Sequence, residues 1–158
     1  ILLILISFTL LVKINGCVGY EPIFGSTNLK LKIVDYSISG DKEIGSQIYN
    51  KLNNLSQSTK SLADIRNVYV LINASKNKTP VAKDSAGKVL SYKINLSTTI
   101  TIKDIISGDE LLYENFSFSE VYKAQDRYSE TIKLENKSIE NLINETYQAF
   151  LVKLIENI

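Results

Sequence analysis

The clearest pattern in the chain runs from Leu90 to Lys103. Leu90, Tyr92, Ile94, Leu96, Thr98, Ile100 and Ile102 would point one way; Ser91, Lys93, Asn95, Ser97, Thr99, Thr101 and Lys103 would point the other. Successive side chains of a strand leave opposite faces, so this spacing predicts a long strand with one apolar and one polar side. Val68, Val70, Ile72 and Ala74 predict a strand before it, continuing towards Lys83. Leu112, Phe116, Phe118 and Tyr122 predict one after it, with Glu114 and Glu120 interrupting its apolar side. Asp84-Ser85-Ala86-Gly87 and Ser107-Gly108-Asp109 supply the turn residues between them. Turns this short permit only antiparallel pairing, so the three strands form a meander.

Ahead of the meander, Leu29, Leu31 and Ile33 alternate with Lys30 and Lys32, which predicts a half-buried strand ending at Val34. Ser39-Gly40-Asp41 can then cap a helix whose stripe is Ile44, Ile48, Leu52 and Leu55. After Asp126-Arg127-Tyr128 the period becomes helical again. Ile139, Leu142, Ile143, Phe150, Leu151, Leu154 and Ile155 mark a buried side, and Lys133, Lys137, Glu140, Glu145 and Glu156 a wet one. The order is β-α-β-β-β-α. Two helices with one apolar stripe each can cover one face of a sheet, which predicts an α+β fold: a two-layer α/β sandwich with both helices on one face of a mixed four-stranded sheet. The other face stays uncovered and polar. The first strand, returning through a helix, runs parallel to a neighbour that the pattern leaves open.

The first residues read differently. Ile1 to Val12 is apolar apart from Ser7 and Thr9. A run of about 12 to 14 apolar residues is short for a hydrocarbon core of roughly 30 Å but suits the apolar part of a signal peptide. The sequence opens without methionine, so the basic start of such a peptide is expected ahead of Ile1. Ile14-Asn15-Gly16-Cys17 follows at once and resembles the lipobox of bacterial lipoproteins. In that motif the small residue fits the signal peptidase and the cysteine thiol takes the acyl chains. The chain is thereby expected to divide into a signal segment 1–16, a lipidated tether 17–28 and a periplasmic domain 29–158. Several acyl chains such as palmitate, at about 0.8 kcal/mol per buried CH₂, make a lasting anchor. Val18, where many retained lipoproteins have Asp, implies sorting to the outer membrane of a Gram-negative cell. The competing reading is an uncleaved anchor with an incidental cysteine.

Composition removes function classes. The 18 basic and 17 acidic residues nearly cancel, which argues against nucleic-acid binding through a basic field. There is no histidine and a single cysteine, so Ser-His-Asp and Cys-His chemistry, intrachain disulfides and most zinc sites are excluded. No nucleotide loop or metal spacing is present, and no cofactor is implied. An acid/base pair among Asp35, Asp84, Asp104, Glu114, Glu120 and Asp126 is conceivable, but binding without catalysis is the better expectation.

Three stretches together resemble the lipopolysaccharide-assembly lipoproteins, which plug the outer-membrane lipopolysaccharide translocon. They are Gly16-Cys17-Val18-Gly19-Tyr20-Glu21-Pro22-Ile23-Phe24-Gly25, the hairpin Asp84-Ser85-Ala86-Gly87-Lys88-Val89-Leu90-Ser91-Tyr92-Lys93-Ile94, and the closing Ala149-Phe150-Leu151-Val152-Lys153-Leu154. The resemblance implies a domain seated in the lumen of an outer-membrane β-barrel lipopolysaccharide-assembly protein, assisting barrel assembly and lipopolysaccharide export. It also implies basic contacts to lipopolysaccharide at one end of the sandwich, for which Lys83, Lys88 and Lys133 are the candidates. Barrel lumens are polar and hydrated, so a plug should offer an uncharged hydrogen-bonding surface. Ser91, Asn95, Ser97, Thr99 and Thr101 form the candidate partner-facing side. The runner-up is an auxiliary lipoprotein of a periplasmic lipid-transport ABC system.

Overall fold

The computed structural model describes residues 31–58 and 65–157. The segment 1–16, Cys17 and the tether 17–28 lie outside the described residues. Within them the elements are β1 (Leu31–Gly40), α1 (Lys42–Ser58), β2 (Arg66–Lys83), β3 (Val89–Asp104), β4 (Glu110–Lys123) and α2 (Tyr128–Asn157). One mixed sheet has the order β1-β2-β3-β4. β2, β3 and β4 form the antiparallel meander, and β1 lies parallel to β2, the neighbour that the pattern had left open. Both helices pack on the same face, α1 over β1 and β2, α2 over β4 and β3, and they touch each other. The result is the expected β-α-β-β-β-α two-layer sandwich.

β1 runs six residues beyond its expected end at Val34 because a bulge between Ile33 and Asp35 resets the alternation. Leu31 and Ile33 face the helices before the bulge, and Tyr36 and Ile38 do so after it. The extra residue, Val34, is left exposed. β1 ends where Gly40 takes a φ of 75°, and Asp41 then caps α1 by accepting the Ile44 amide at 3.2 Å.

The core lies between the sheet and the helices. Val68, Val70, Ile72 and Ala74 of β2 face it beside Ile94, Leu96, Ile100 and Ile102 of β3, and Ile48, Leu142, Ile143 and Phe150 close it from above. The Phe150 ring meets Phe116 edge-on, with centroids 6.3 Å apart. Two residues expected on the buried side are exposed, each because cover runs out. Leu90 sits beside the β2–β3 turn, and Ile155 lies in the last turn of α2.

Candidate partner-binding surfaces

Among the described residues the gap inside the sandwich is too small for a ligand. The apolar gap between the helices and the sheet, lined by residues such as Leu31, Val70, Ile102 and Phe150, measures about 30 Å³. That is room for about one water, whereas small-molecule pockets run to several hundred Å³. Among the described residues no group of three or more His, Cys, Asp or Glu could hold a metal ion, and no helix is long and apolar enough to cross a membrane. Of the six carboxylates singled out from the sequence, Glu114 on β4 stands across from Ile100 and the other five do separate structural work. Asp84 and Asp104 brace turns by accepting backbone amides, Asp126 pairs with Lys88, and Glu120 accepts from Asn141 of α2. Asp35 accepts the amide of Tyr36. They do not converge.

Among the described residues nothing covers the sheet face opposite the helices. Register lines up the polar side of β3 with polar residues on both neighbours. Thr99 stands between Asn73 and Asn115, Ser97 between Ser75 and Ser117, and Asn95 between Asn77 and Ser119. Ser39 of β1 extends the first of these rows beyond Asn73. All these residues are uncharged, and hydroxyl and amide groups both donate and accept. Thr99 Oγ1 donates to Asn115 Oδ1 at 2.6 Å, tying β3 to β4 within the surface. Of the side expected to face a partner, Ser91, Asn95, Ser97 and Thr99 are at least partly exposed, and only Thr101 is buried. Thr101 lies between Leu71 and Tyr113 in the register. The flanking contributions from β2 and β4 were not singled out from the sequence. Their signal was there, since Asn73, Ser75 and Asn77 alternate, as do Asn115, Ser117 and Ser119.

The face changes character along the strands. Towards the β2–β3 turn it becomes basic, with Lys93 opposite Thr79 and Val121, and Lys123 opposite Ser91. The candidate lysines Lys83 and Lys88 flank that turn and are exposed. Lys88 is bonded to Asp126 at 3.1 Å, so part of its charge is already answered. Lys133 is exposed near the start of α2, the helix end that lies by the same turn through the Lys88–Asp126 pair. Towards the β3–β4 turn the face becomes apolar, with Tyr69, Leu71 and Tyr113 on it.

No protein-family model matches the sequence, and no curated protein matches it at a significant level. The fold, by contrast, is shared with solved structures. The solution structure of uncharacterized lipoprotein B from Nitrosomonas europaea superposes with a TM-score of 0.55 at 13% identity, covering 83% of this chain and 90% of that one. The crystal structure of a minor lipoprotein from Acinetobacter baumannii gives a TM-score of 0.53 at 13% identity, covering 78% of this chain and 91% of that one. At such identity the likeness is one of fold, and it extends over most of both chains: the sandwich described here is an architecture that bacterial lipoproteins use.

Proposed function

We propose that this protein is an outer-membrane lipoprotein, anchored through Cys17 on the periplasmic side, that plugs a β-barrel partner and assists lipopolysaccharide transport and assembly. The observation that carries the reading is the uncharged Ser/Thr/Asn face of the sheet. A face left without helices is expected to carry charges if its only partner is water, because charged side chains keep sheets soluble and apart. Here the rows through Asn95, Ser97 and Thr99 carry no charge, and the charged residues lie to either side of them along the strands, Lys93 and Lys123 towards one turn and Lys103 towards the other. Hydroxyls and amides bury against a hydrated lumen at little cost, since each finds protein or water partners, whereas an unpaired charge would not. Ser91, Asn95, Ser97 and Thr99 are the partner contacts in this reading, and Thr101, being buried, contributes little.

Lys83, Lys88 and Lys133 are the candidate contacts to the phosphates of lipopolysaccharide, acting as point charges rather than bidentate forks. The lipoprotein fold shared with the two solved structures supports the anchored, envelope setting, as does the Ile14-Asn15-Gly16-Cys17 motif. The test is a pull-down from membranes with the full, tagged chain. Recovery of a large outer-membrane β-barrel is the expected result. Reproducible recovery of inner-membrane transporter subunits alone would refute the reading in favour of a lipid-transport auxiliary.

A further inference from the structure

The two hairpin turns of the meander are built from opposite kinds of residue. The β2–β3 turn, Asp84 to Lys88, is polar and small, as turns facing water are. The β3–β4 turn places Ile105 and Ile106 at its tip, 46% and 88% exposed. A β-branched pair is a poor choice for a turn on conformational grounds, and it holds apolar surface in water.

The turn nevertheless has a defined shape. Asp104 accepts the amides of Ile106 and Ser107 at 2.8 and 3.0 Å, Gly108 donates back to the Asp104 carbonyl at 3.0 Å, and Ile105 donates to Asn67 of β2 at 3.1 Å. The isoleucines are therefore presented by a braced loop. Ile65, also exposed, precedes β2 at the same end, and Ile155 lies in the last turn of α2. Tyr113 and Tyr69 stand slightly further along the sheet, Tyr113 across from Thr101 and Tyr69 across from Lys103.

The same end receives the chain from its N-terminal side. Leu31 pairs with Arg66, at the start of both strands, so the segment carrying Cys17 joins the domain beside these isoleucines. The 13 residues between Cys17 and Leu31 reach at most about 45 Å when fully extended. We propose that this end of the sandwich docks on a phospholipid bilayer, with Ile105 and Ile106 entering the headgroup boundary and Tyr113 lying at the level where amphipathic rings favour the interface. Lys32, Arg66 and Lys103 are balanced there by Asp104, Asp109 and Glu110, so the contact is apolar in origin and insensitive to salt. A second contact beside the anchor fixes which end of the polar face points away from the membrane.

The reach of the tether rests on the lipidation of Cys17, and the experiment separates the two ideas. Ile106→Cys and, as the control at the opposite turn, Ala86→Cys are made in the full chain, purified from membranes and labelled with an environment-sensitive thiol dye. The products are then placed in phosphatidylethanolamine/phosphatidylglycerol vesicles containing a shallow lipid-borne quencher. Position 106 is so exposed that the substitution leaves folding unaffected. The expected result is one dye per chain, blue-shifted and quenched several-fold more at position 106 than at 86, at both low and high salt. One dye per chain with equal, weak quenching at both positions overturns the proposal. So does a blue shift at 106 without quenching, which would mean cover by protein. Two dyes per chain would show that Cys17 carries a free thiol. The comparison is then repeated in the Cys17→Ser background, where selective quenching at 106 still supports docking and its absence overturns it.

Discussion

The ammonium of Lys78, on the helix-facing side of β2, is hydrogen-bonded to the carboxylate of Glu135, two turns into α2. Tyr122 donates to the same oxygen at 2.9 Å, and the Lys78 nitrogen lies 4.4 Å from the centre of the Tyr92 ring. This cluster fastens α2 to the part of the β2–β3 hairpin that β1 no longer borders. Burial by itself would push the Glu135 carboxyl up, but the bonds from Lys78 and Tyr122 outweigh it and hold the group below its ordinary value of 4.5. Burial likewise opposes the charge on Lys78, and the Glu135 and Tyr122 partners more than reverse that effect.

A depressed carboxylate stabilises the fold above the unfolded-state value, and that contribution is lost as pH falls through the folded one. Glu135→Gln is therefore expected to cost about 1–2 kcal/mol at pH 7, with the gap to the parent protein narrowing below pH 4.5, the group's ordinary value. Urea denaturation at pH 7 and pH 3 measures both. An equal gap at the two pH values would show that the ion pair is not what stabilises this end.

The proposed lumen-facing surface makes a prediction that separates binding from folding. Ser97 is exposed at the middle of the polar rows, between Ser75 and Ser117. Ser97→Asp should change stability by no more than about 0.5 kcal/mol, as exposed substitutions do. In a membrane pull-down it should nonetheless lose most of the recovered β-barrel, because a lone charge must shed its water on docking. Gln148→Glu, on the exposed side of α2, should leave barrel recovery unchanged. Undiminished recovery with Ser97→Asp would move the contact surface elsewhere.

Thr98 carries an opposite lesson one residue along. Its side chain is 2% exposed, facing the helices, and its hydroxyl has no hydrogen-bond partner. Ala74 and Phe116 stand on either side of it in the register. Valine has nearly the same shape without the unanswered polar group, so Thr98→Val should raise the unfolding free energy by about 1 kcal/mol or more. A rise in the urea midpoint at constant slope is the signature; a fall would mean that the hydroxyl has a partner.

Legibility in the sequence followed the range of the interactions concerned. β3 could be read from Leu90 to Lys103 because every residue from Tyr92 to Ile102 has strands on both sides and cover on one face, so its alternation is unbroken. β1 could not be bounded, since the bulge at Val34 shifts its parity and makes Ser37 and Ser39 look like a loop. The end of β2 was indistinct for another reason. Past Ala74 it has no β1 beside it, and Lys76, Lys78 and Pro80 replace apolar residues on the helix side, features that also guard an open strand edge. The polar face was half visible: its β3 row is a local pattern, but its neighbours on β2 and β4 are joined to it only by register. Lys78 and Glu135 are 57 residues apart, and no periodicity links them.

The junction between β1 and α1 yields the sharpest stability prediction, because two glycines with similar backbones differ in their surroundings. Gly40 and Gly87 have φ angles of 75° and 84°, in the left-handed region that costs an alanine about 1–2 kcal/mol. A Cβ on Gly87, in the exposed β2–β3 turn, would meet nothing within 4 Å. A Cβ on Gly40 would fall 2.1 Å from the carbonyl oxygen of Ala74, the same oxygen that accepts the Asp41 amide at 2.7 Å. That carbonyl belongs to β2 and cannot turn aside without breaking the bond that sets the start of α1. Gly87→Ala should therefore cost only the conformational part. Gly40→Ala should cost a further 1–3 kcal/mol, the usual penalty for overpacking a site that cannot yield. Urea unfolding of the two variants side by side isolates the contact, since the backbone contribution is common to both. Equal losses would mean that β1 can pull away from Ala74 freely, and that Gly40 is there for its backbone alone.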